Sequence, residues 1–271
     1  GGKGANQAVA CAHLGAQARM IGRVGDDVFG ATLRENLRGY GVDIAGIGVS
    51  PGPSGVAVIA VDDAAENTIV IVAGANGAIG ADDLALLEET FADAKVLLLQ
   101  LEVPIDAVVA AAQAARRHGV TVILDPAPAR ALPAELYAAT DIITPNETEA
   151  AALVGFAVQD QQSAERAGRV LLDRGVRAAV IKMGSKGVYW SDGARGGFTP
   201  ALQVVAVDTV AAGDAFNGGL ATALDVGLPL EQALRWGLAA GALSVTTPGA
   251  QQSMPSREEL ERMLAQVGSA G

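Results

Sequence analysis

Residues 208 to 217 read Asp-Thr-Val-Ala-Ala-Gly-Asp-Ala-Phe-Asn, a polar strand end running through three small residues into a helix with a carboxylate in its first turn. The first amides of a helix have no internal partner and the helix dipole is positive there, so Ala211, Ala212 and Gly213 can turn their N–H groups toward an anion. Their small side chains let a phosphate come close. Asp214, beside that cradle, stands where a base would orient and deprotonate an attacking hydroxyl, as an aspartate does in other kinases. The structural alternative is that Asp208 and Thr209 cap the helix and Asp214 complements its dipole.

Four other stretches carry residue types suited to the same chemistry. Gly1-Gly2-Lys3-Gly4 is not a Walker A loop, since no Ser or Thr follows the lysine and the glycine spacing differs. It reads as a glycine-rich entry into a helix over about 5 to 14, with a flexible turn bearing a solvated lysine as the structural alternative. Glu102 follows an apolar strand, where a carboxylate can accept hydrogen bonds from hydroxyls. Asn146 and Glu149 have the spacing of a capping box after Pro145, a rigid mount for a helix end. Gly184 and Gly187 punctuate a turn after a strand ending near Met183, for which turn geometry alone is a sufficient reason.

These residues need a scaffold, and the hydrophobic pattern supplies one. Apolar runs at 96–101, 120–125, 141–144 and 177–183 alternate with helical periodicity, for example over 104–118. Such βαβ alternation predicts an α/β fold, with a mostly parallel sheet covered by helices on both faces. Ligands then bind beyond the carboxyl ends of the strands. Residues 55–61 and 68–72 flank Asp62-Asp63-Ala64-Ala65-Glu66-Asn67 and read as a hairpin. The last third is helical, with Leu220, Leu224, Leu234, Leu238 and Leu243 at compatible spacing.

Composition narrows the class further. The chain has 271 residues, 50% of them hydrophobic, and a formal net charge of −11. That length can bury a substantial core. No segment offers the roughly 20 consecutive apolar residues of a membrane span, and no signal peptide is visible. The acidic balance without a basic run argues against nucleic-acid binding. The lone Cys11 excludes an internal disulfide and reads as a small core residue, which suits a reducing cytoplasm. His13, within the first helix, and His118, near a helix C-terminus, read as structural.

Taken in order, the 208–217 stretch, Gly1 to Ala8, Gln100-Leu101-Glu102, Asn146-Glu147-Thr148-Glu149, Gly184-Ser185-Lys186-Gly187 and Gly249-Ala250-Gln251 resemble the site segments of the ribokinase-like (PfkB) carbohydrate kinases. The resemblance runs along the whole chain. It implies one kinase domain over 1–271, a three-layer sandwich with a small β lid within about 52–76, and ATP-dependent phosphorylation of a sugar. Lys3 and the Ala211-Ala212 pair resemble the members that phosphorylate D-ribose at its 5-hydroxyl. Relatives acting on deoxyribose, fructose, a keto-deoxy acid or a nucleoside, and a non-catalytic sensor on the same fold, are the alternatives.

By the same resemblance Gly2, Lys3, Asn6, Glu102 and Asp214 contact the sugar, while Asn146, Lys182, Gly184, Gly187, Ala212 and Gly213 serve ATP. Glu149 would organise Mg2+ through water, as suits a hard cation that keeps much of its hydration shell. A potassium ion would be held by Asp208, Val210, Ser244, Thr247, Gly249 and Ser253, largely through backbone carbonyls. The lid implies a homodimer. In such kinases several tens of residues precede the position of Gly1, with a first core strand and an Asn-x-Asp sugar grip. The 271-residue chain is therefore expected to keep ATP affinity, whose residues lie after position 140, and to hold ribose more weakly than a longer chain.

Overall fold

The computed structural model describes residues 2–61 and 67–268, with the side chains of 58–61, 67–71 and 267–268 outside that description. Gly1 and the expected hairpin turn at 62–66 lie outside the described residues. The chain enters α1 (Lys3–His13), then β1 (Gly22–Gly25), α2 (Val28–Gly39), β2 (Ile47–Ser50), β3 (Val56–Val61) and β4 (Asn67–Val72). A regular alternation follows: α3 (Ala81–Thr90), β5 (Val96–Leu99), α4 (Ile105–Arg117), β6 (Thr121–Leu124), α5 (Ala134–Ala139), β7 (Ile142–Ile143), α6 (Glu147–Val154), α7 (Gln161–Asp173) and β8 (Ala178–Lys182). The remainder is β9 (Gly187–Ser191), β10 (Gly196–Pro200), α8 (Ala212–Asp225), α9 (Leu230–Ser244) and α10 (Arg257–Gly268).

β5 to β8 form the parallel part of a six-stranded sheet in the order β10-β9-β8-β7-β6-β5, and β9 and β10 close it antiparallel. Successive side chains of a strand point to opposite faces. In β6, Ile123 joins a core with Val9, Leu220 and Leu234, while Val122 and Leu124 join another with Val108, Leu136 and Leu171. β8 repeats this, sending Val180 to the first core and Ala179 and Ile181 to the second. A sheet buried on both faces carries continuous apolar runs, which is why these strands show no polar alternation. The architecture is the three-layer α/β sandwich read from the sequence.

Outside that sheet, β1 and β2 pair in parallel, and β3 and β4 pair antiparallel from Val56↔Val72 to Val61↔Asn67, the hairpin expected over 55–73. β5 is the end strand of the large sheet among the described residues, and Val96 to Leu99 are only half-buried. Between β5 and β1 lies a cavity of about 930 Å³, apolar along Val96, Leu97 and Leu98 and polar toward Gln7, Gln100 and Glu102.

The topology gathers the chemistry at one edge. Gln100 and Glu102 follow β5, Asp125 follows β6, Asn146 follows β7, and Lys182 ends β8. Asn146 also pairs with Lys182 in an isolated parallel bridge, so the β7–β8 ladder extends to the site. All these residues sit beyond the carboxyl ends of neighbouring parallel strands, where such folds bind ligands.

Candidate active site

Two helix starts meet over this edge. At Gly218 an added Cβ would lie 2.4 Å from the Ala10 Cβ, so only glycine lets α8 approach α1 this closely. Asn6 lies one turn before Ala10 and Asp214 one turn before Gly218, so the same contact brings their side chains together. Asn6 donates through Nδ2 to Asp214 Oδ2 at 2.9 Å, and Gln7 donates through Nε2 to Asp214 Oδ1 at 3.0 Å. Both oxygens of the candidate base are thereby oriented by neutral amides.

Asp214 is buried, with 4% of its surface exposed. Burial pushes its carboxyl above the ordinary 3.8, against the pull of Lys3 and of the hydrogen bonds from Asn6 and Gln7. Lys3 responds in kind: burial pushes its ammonium down, but Asp214, Asp125, Glu149 and Glu102 together carry it above its usual 10.5. Its backbone N–H donates to Glu102 Oε2 at 2.9 Å. Gly2, the residue before α1, has φ +87°, and an added Cβ there would meet the same oxygen at 3.3 Å. The carboxamide oxygen of Asn6 is buried and has no hydrogen-bond partner among the described residues. A buried acceptor without a donor suits a hydroxyl-bearing ligand.

The start of α8 differs from the capping alternative. No side chain caps it; its N-cap is Ala211, in the left-handed region at φ 60°. Asp208 instead spends its carboxylate on Val210 N–H at 3.0 Å and Gly249 N–H at 2.8 Å, tying the 208–210 turn to the loop after α9. Ala212 departs from the expected open cradle, because the turn closed by Ala211 lets its N–H donate to Thr209 O at 3.3 Å. Gly213 sits at the open end of the helix. A Cβ added there would lie 3.4 Å from Lys182 Nζ, so the ammonium stands directly over the amide end of α8.

Lys182 Nζ is held by Asp125 Oδ1 at 2.9 Å, in a pair whose side chains are 13% and 2% exposed. Asn146 and Glu149 form the capping box in full, Asn146 Oδ1 accepting from Glu149 N–H and Glu149 Oε2 accepting from Asn146 N–H. Burial raises the Glu149 carboxyl above 4.5, with Lys182 opposing. Gly184 and Gly187 bracket a single 3-10 turn at φ 54° and 122°, and a Cβ at Gly187 would fall 2.1 Å from Thr199 O.

The residues named for a monovalent cation lie in connected turns. Asp208 bonds to Val210 and Gly249 as above, Thr247 N–H donates to Ser244 O, and the Ser253 hydroxyl donates to Ala250 O at 2.8 Å. Among the described residues no group of three or more His, Cys, Asp or Glu side chains could hold a metal. The donors here are carbonyls, hydroxyls and one carboxylate, all hard oxygens of the kind such an ion takes. Cys11 is buried, its thiol pushed up to about 12 by burial. His13 Nδ1 lies 3.0 Å from Met254 O and His118 pairs with Glu88, both away from Asp214.

Two residues absent from the sequence-derived set stand at the centre. Gln7, wholly buried, also donates from Nε2 to Asp125 Oδ2 at 3.0 Å and accepts at Oε1 from Gln100. Asp125 was visible as a carboxylate ending an apolar strand, the signal that flagged Glu102. Gln7 had no signal beyond its place next to Asn6.

A buried, amide-oriented carboxylate beside an open helix start and a lysine, on a three-layer α/β sandwich, is an arrangement suited to phosphoryl transfer. The chain matches the description "pfkB family carbohydrate kinase" over residues 1–257, and it belongs to that family. It is 45% identical over 265 residues to ribokinase from Haemophilus influenzae, covering 97% of this chain and 87% of that protein. It is 37% identical over 267 residues to deoxyribokinase from Salmonella typhi, covering 98% of this chain and 87% of that one. The structure of Arabidopsis thaliana ribokinase complexed with ribose and ATP superposes with a TM-score of 0.90 at 34% identity, over 97% of this chain and 87% of that one.

Proposed function

We propose that this chain transfers the γ-phosphoryl group of ATP to the 5-hydroxyl of D-ribose. The observation that carries this reading is the Asp214 carboxylate, both oxygens held by Asn6 and Gln7, next to the open start of α8 and the Lys182 ammonium. Ribose is favoured over deoxyribose because the ribokinase relative is the more similar of the two, and because the similar structure that holds ribose and ATP is itself a ribokinase.

In this reading Gly2, Lys3, Asn6 and Glu102 receive the sugar hydroxyls, and the unpartnered Asn6 Oδ1 takes a hydroxyl proton donor. Asp214 accepts the proton of the attacking hydroxyl as its oxygen bonds to the γ-phosphorus and the bond from that phosphorus to the β–γ bridging oxygen breaks, releasing ADP. Charge on the transferring phosphoryl group is met by the Gly213 N–H, the positive end of α8 and Lys182. These groups are fixed before reaction, so they reorganise little as charge develops. Asn146, Gly184 and Gly187 line the nucleotide side. Mg2+, organised near Glu149, supplies neutralisation of phosphate charge when bound. The oxygens of Asp208, Val210, Ser244, Thr247, Gly249 and Ser253 would hold K+, whose charge would steady the amides of the neighbouring helix start.

A homodimer through the β3–β4 hairpin is part of the proposal, supported by exposed Val56 and Val72 on an isolated two-stranded element, which is marginal alone in water. No described helix is long and apolar enough to cross a membrane, and we place the activity in the cytoplasm. A coupled ADP-release assay over ribose, deoxyribose, fructose, a keto-deoxy acid and a nucleoside tests the reading. The highest kcat/KM is expected with ribose. A better acceptor elsewhere in the panel would reassign the substrate, and no ADP release with any of them would leave a binding protein.

A further inference from the structure

We propose that Gln7 and Asp125 are positioning residues that lock the base Asp214 and the phosphate-facing Lys182 into one buried hydrogen-bonded unit. The connection is continuous. Lys182 Nζ donates to Asp125 Oδ1, Gln7 Nε2 donates to Asp125 Oδ2 and to Asp214 Oδ1, and Asn6 Nδ2 closes the chain on Asp214 Oδ2. The residues come from α1, the end of β6, the end of β8 and the start of α8, and Gln7 and Asp125 are respectively 0% and 1% exposed.

The chemistry of position 7 is restrictive. Two carboxylates face a single side-chain atom, and that atom must offer both a proton apiece without adding a charge between them. Among uncharged side chains the amide NH2 of Gln or Asn has two donors on one nitrogen, and Gln7 brings that nitrogen within 3.0 Å of both carboxylates. The orientation of the Gln7 amide follows from its surroundings: its nitrogen meets two acceptors, and its oxygen meets the Gln100 Nε2 donor. A flipped amide would set an oxygen against two carboxylates. Gln7 thus fixes the separation of Asp214 from Asp125, and Asp125 fixes Lys182 over Gly213. The sugar-side base and the nucleotide-side cation therefore share one frame, set before either substrate arrives. A near-attack geometry between hydroxyl and phosphoryl group depends on that frame, and a misplacement of about 1 Å can cost on the order of 100-fold.

This inference rests on the kinase reading above, and the test separates the two. Gln7→Met, Asp125→Asn and the double variant are assayed for kcat and KM in the full-length protein, with the best acceptor of the sugar panel and with ATP, at concentrations of folded protein fixed by thermal unfolding. Each single variant is expected to lose about 10- to 100-fold in kcat, with the KM for sugar within about threefold of wild type, since neither residue is assigned a sugar contact. The double variant is expected to lose no more than about threefold beyond the worse single variant, because residues acting as one unit are strongly non-additive.

Unchanged kcat in either single variant, losses that multiply in the double variant, or losses confined to KM would overturn the proposal. A purely structural role would lower the unfolding temperature and leave kcat per folded molecule intact. If Gln7→Met does not fold, Asp125→Asn alone decides, because a frame without Asp125 must still release Lys182 and lower kcat. Wild-type turnover on another sugar overturns only the choice of ribose; absence of turnover on all of them overturns both readings.

Discussion

Replacing Asp214 by Asn removes a base while keeping the volume and most of the packing of the side chain. A positioned general base contributes about 10²–10⁴-fold, which at about 1.36 kcal/mol per decade is about 2.7–5.4 kcal/mol of transition-state stabilisation. The full loss is expected in kcat, because the groups proposed to hold ATP, Lys182, Gly184 and Gly187, come from β8 and the turn after it and not from α8. Stability moves differently. The folded-state carboxyl of Asp214 is raised above the unfolded 3.8, so the folded chain carries a stability cost that is absent below 3.8, grows as pH rises toward the folded value and is complete above it. Asn removes that cost. Against it, Lys3 loses the carboxylate that does most to hold its proton, and the new NH2 meets an amide donor from Asn6 or Gln7. The two effects oppose, and the unfolding temperature of Asp214→Asn is expected within a few degrees of wild type. Coupled ADP release gives kcat, and calorimetric titration gives ATP affinity. Turnover above about a tenth of wild type would refute the assignment of Asp214 as base. A tenfold loss of ATP affinity with little further loss in kcat would move the carboxylate from chemistry to binding.

The raised Asp214 carboxyl also sets pH dependence: kcat/KM for sugar should fall on the acid side around a midpoint above 3.8, as the base takes up its proton, and a midpoint at or below that value would remove Asp214 from the acid limb. Lys182→Met should leave Asp125 buried without its cation, costing about 3–5 kcal/mol, while Lys182→Met with Asp125→Leu should recover much of the stability and none of the activity; thermal unfolding and kcat measured side by side check this, and equal stability of the two variants would contradict it. Turnover should rise when sodium is replaced by potassium at constant ionic strength, and Asp208→Ala should blunt the response by releasing Val210 and Gly249; equal rates in both salts would take the monovalent cation out of the reaction.

The legibility of this site in the sequence tracks how local each interaction is. The capping box at Asn146 and Glu149 spans three residues, and it is present as read. The strands at 96–99, 121–124 and 178–182 fall inside the apolar runs that flagged them, trimmed by one to a few residues at their ends. The start of α8 is harder because two local solutions compete. Asp208 and Thr209 have the chemistry of caps, but Ala211 in the left-handed region turns the chain so that Asp208 reaches Gly249, 41 residues away, and the helix start is left open. A side-chain cap would have occupied the amides that an anion needs, so the departure from the commoner pattern is itself what suits the segment to binding.

Gln7 marks where the sequence falls silent, for a physical reason. Its partners are 93, 118 and 207 residues distant, and helical periodicity assigns it only to a buried face of α1. A buried glutamine costs free energy unless its donors and acceptor are met. Here Nε2 meets two carboxylates and Oε1 meets Gln100, which converts a liability of packing into a constraint on where Asp214 and Asp125 stand. That constraint depends in turn on Gly218, since any side chain there would push α8 off α1 and separate Gln7 from Asp214. The small-residue run that draws the eye as a phosphate cradle thus continues, one turn later, as the packing surface that brings the base to its partners.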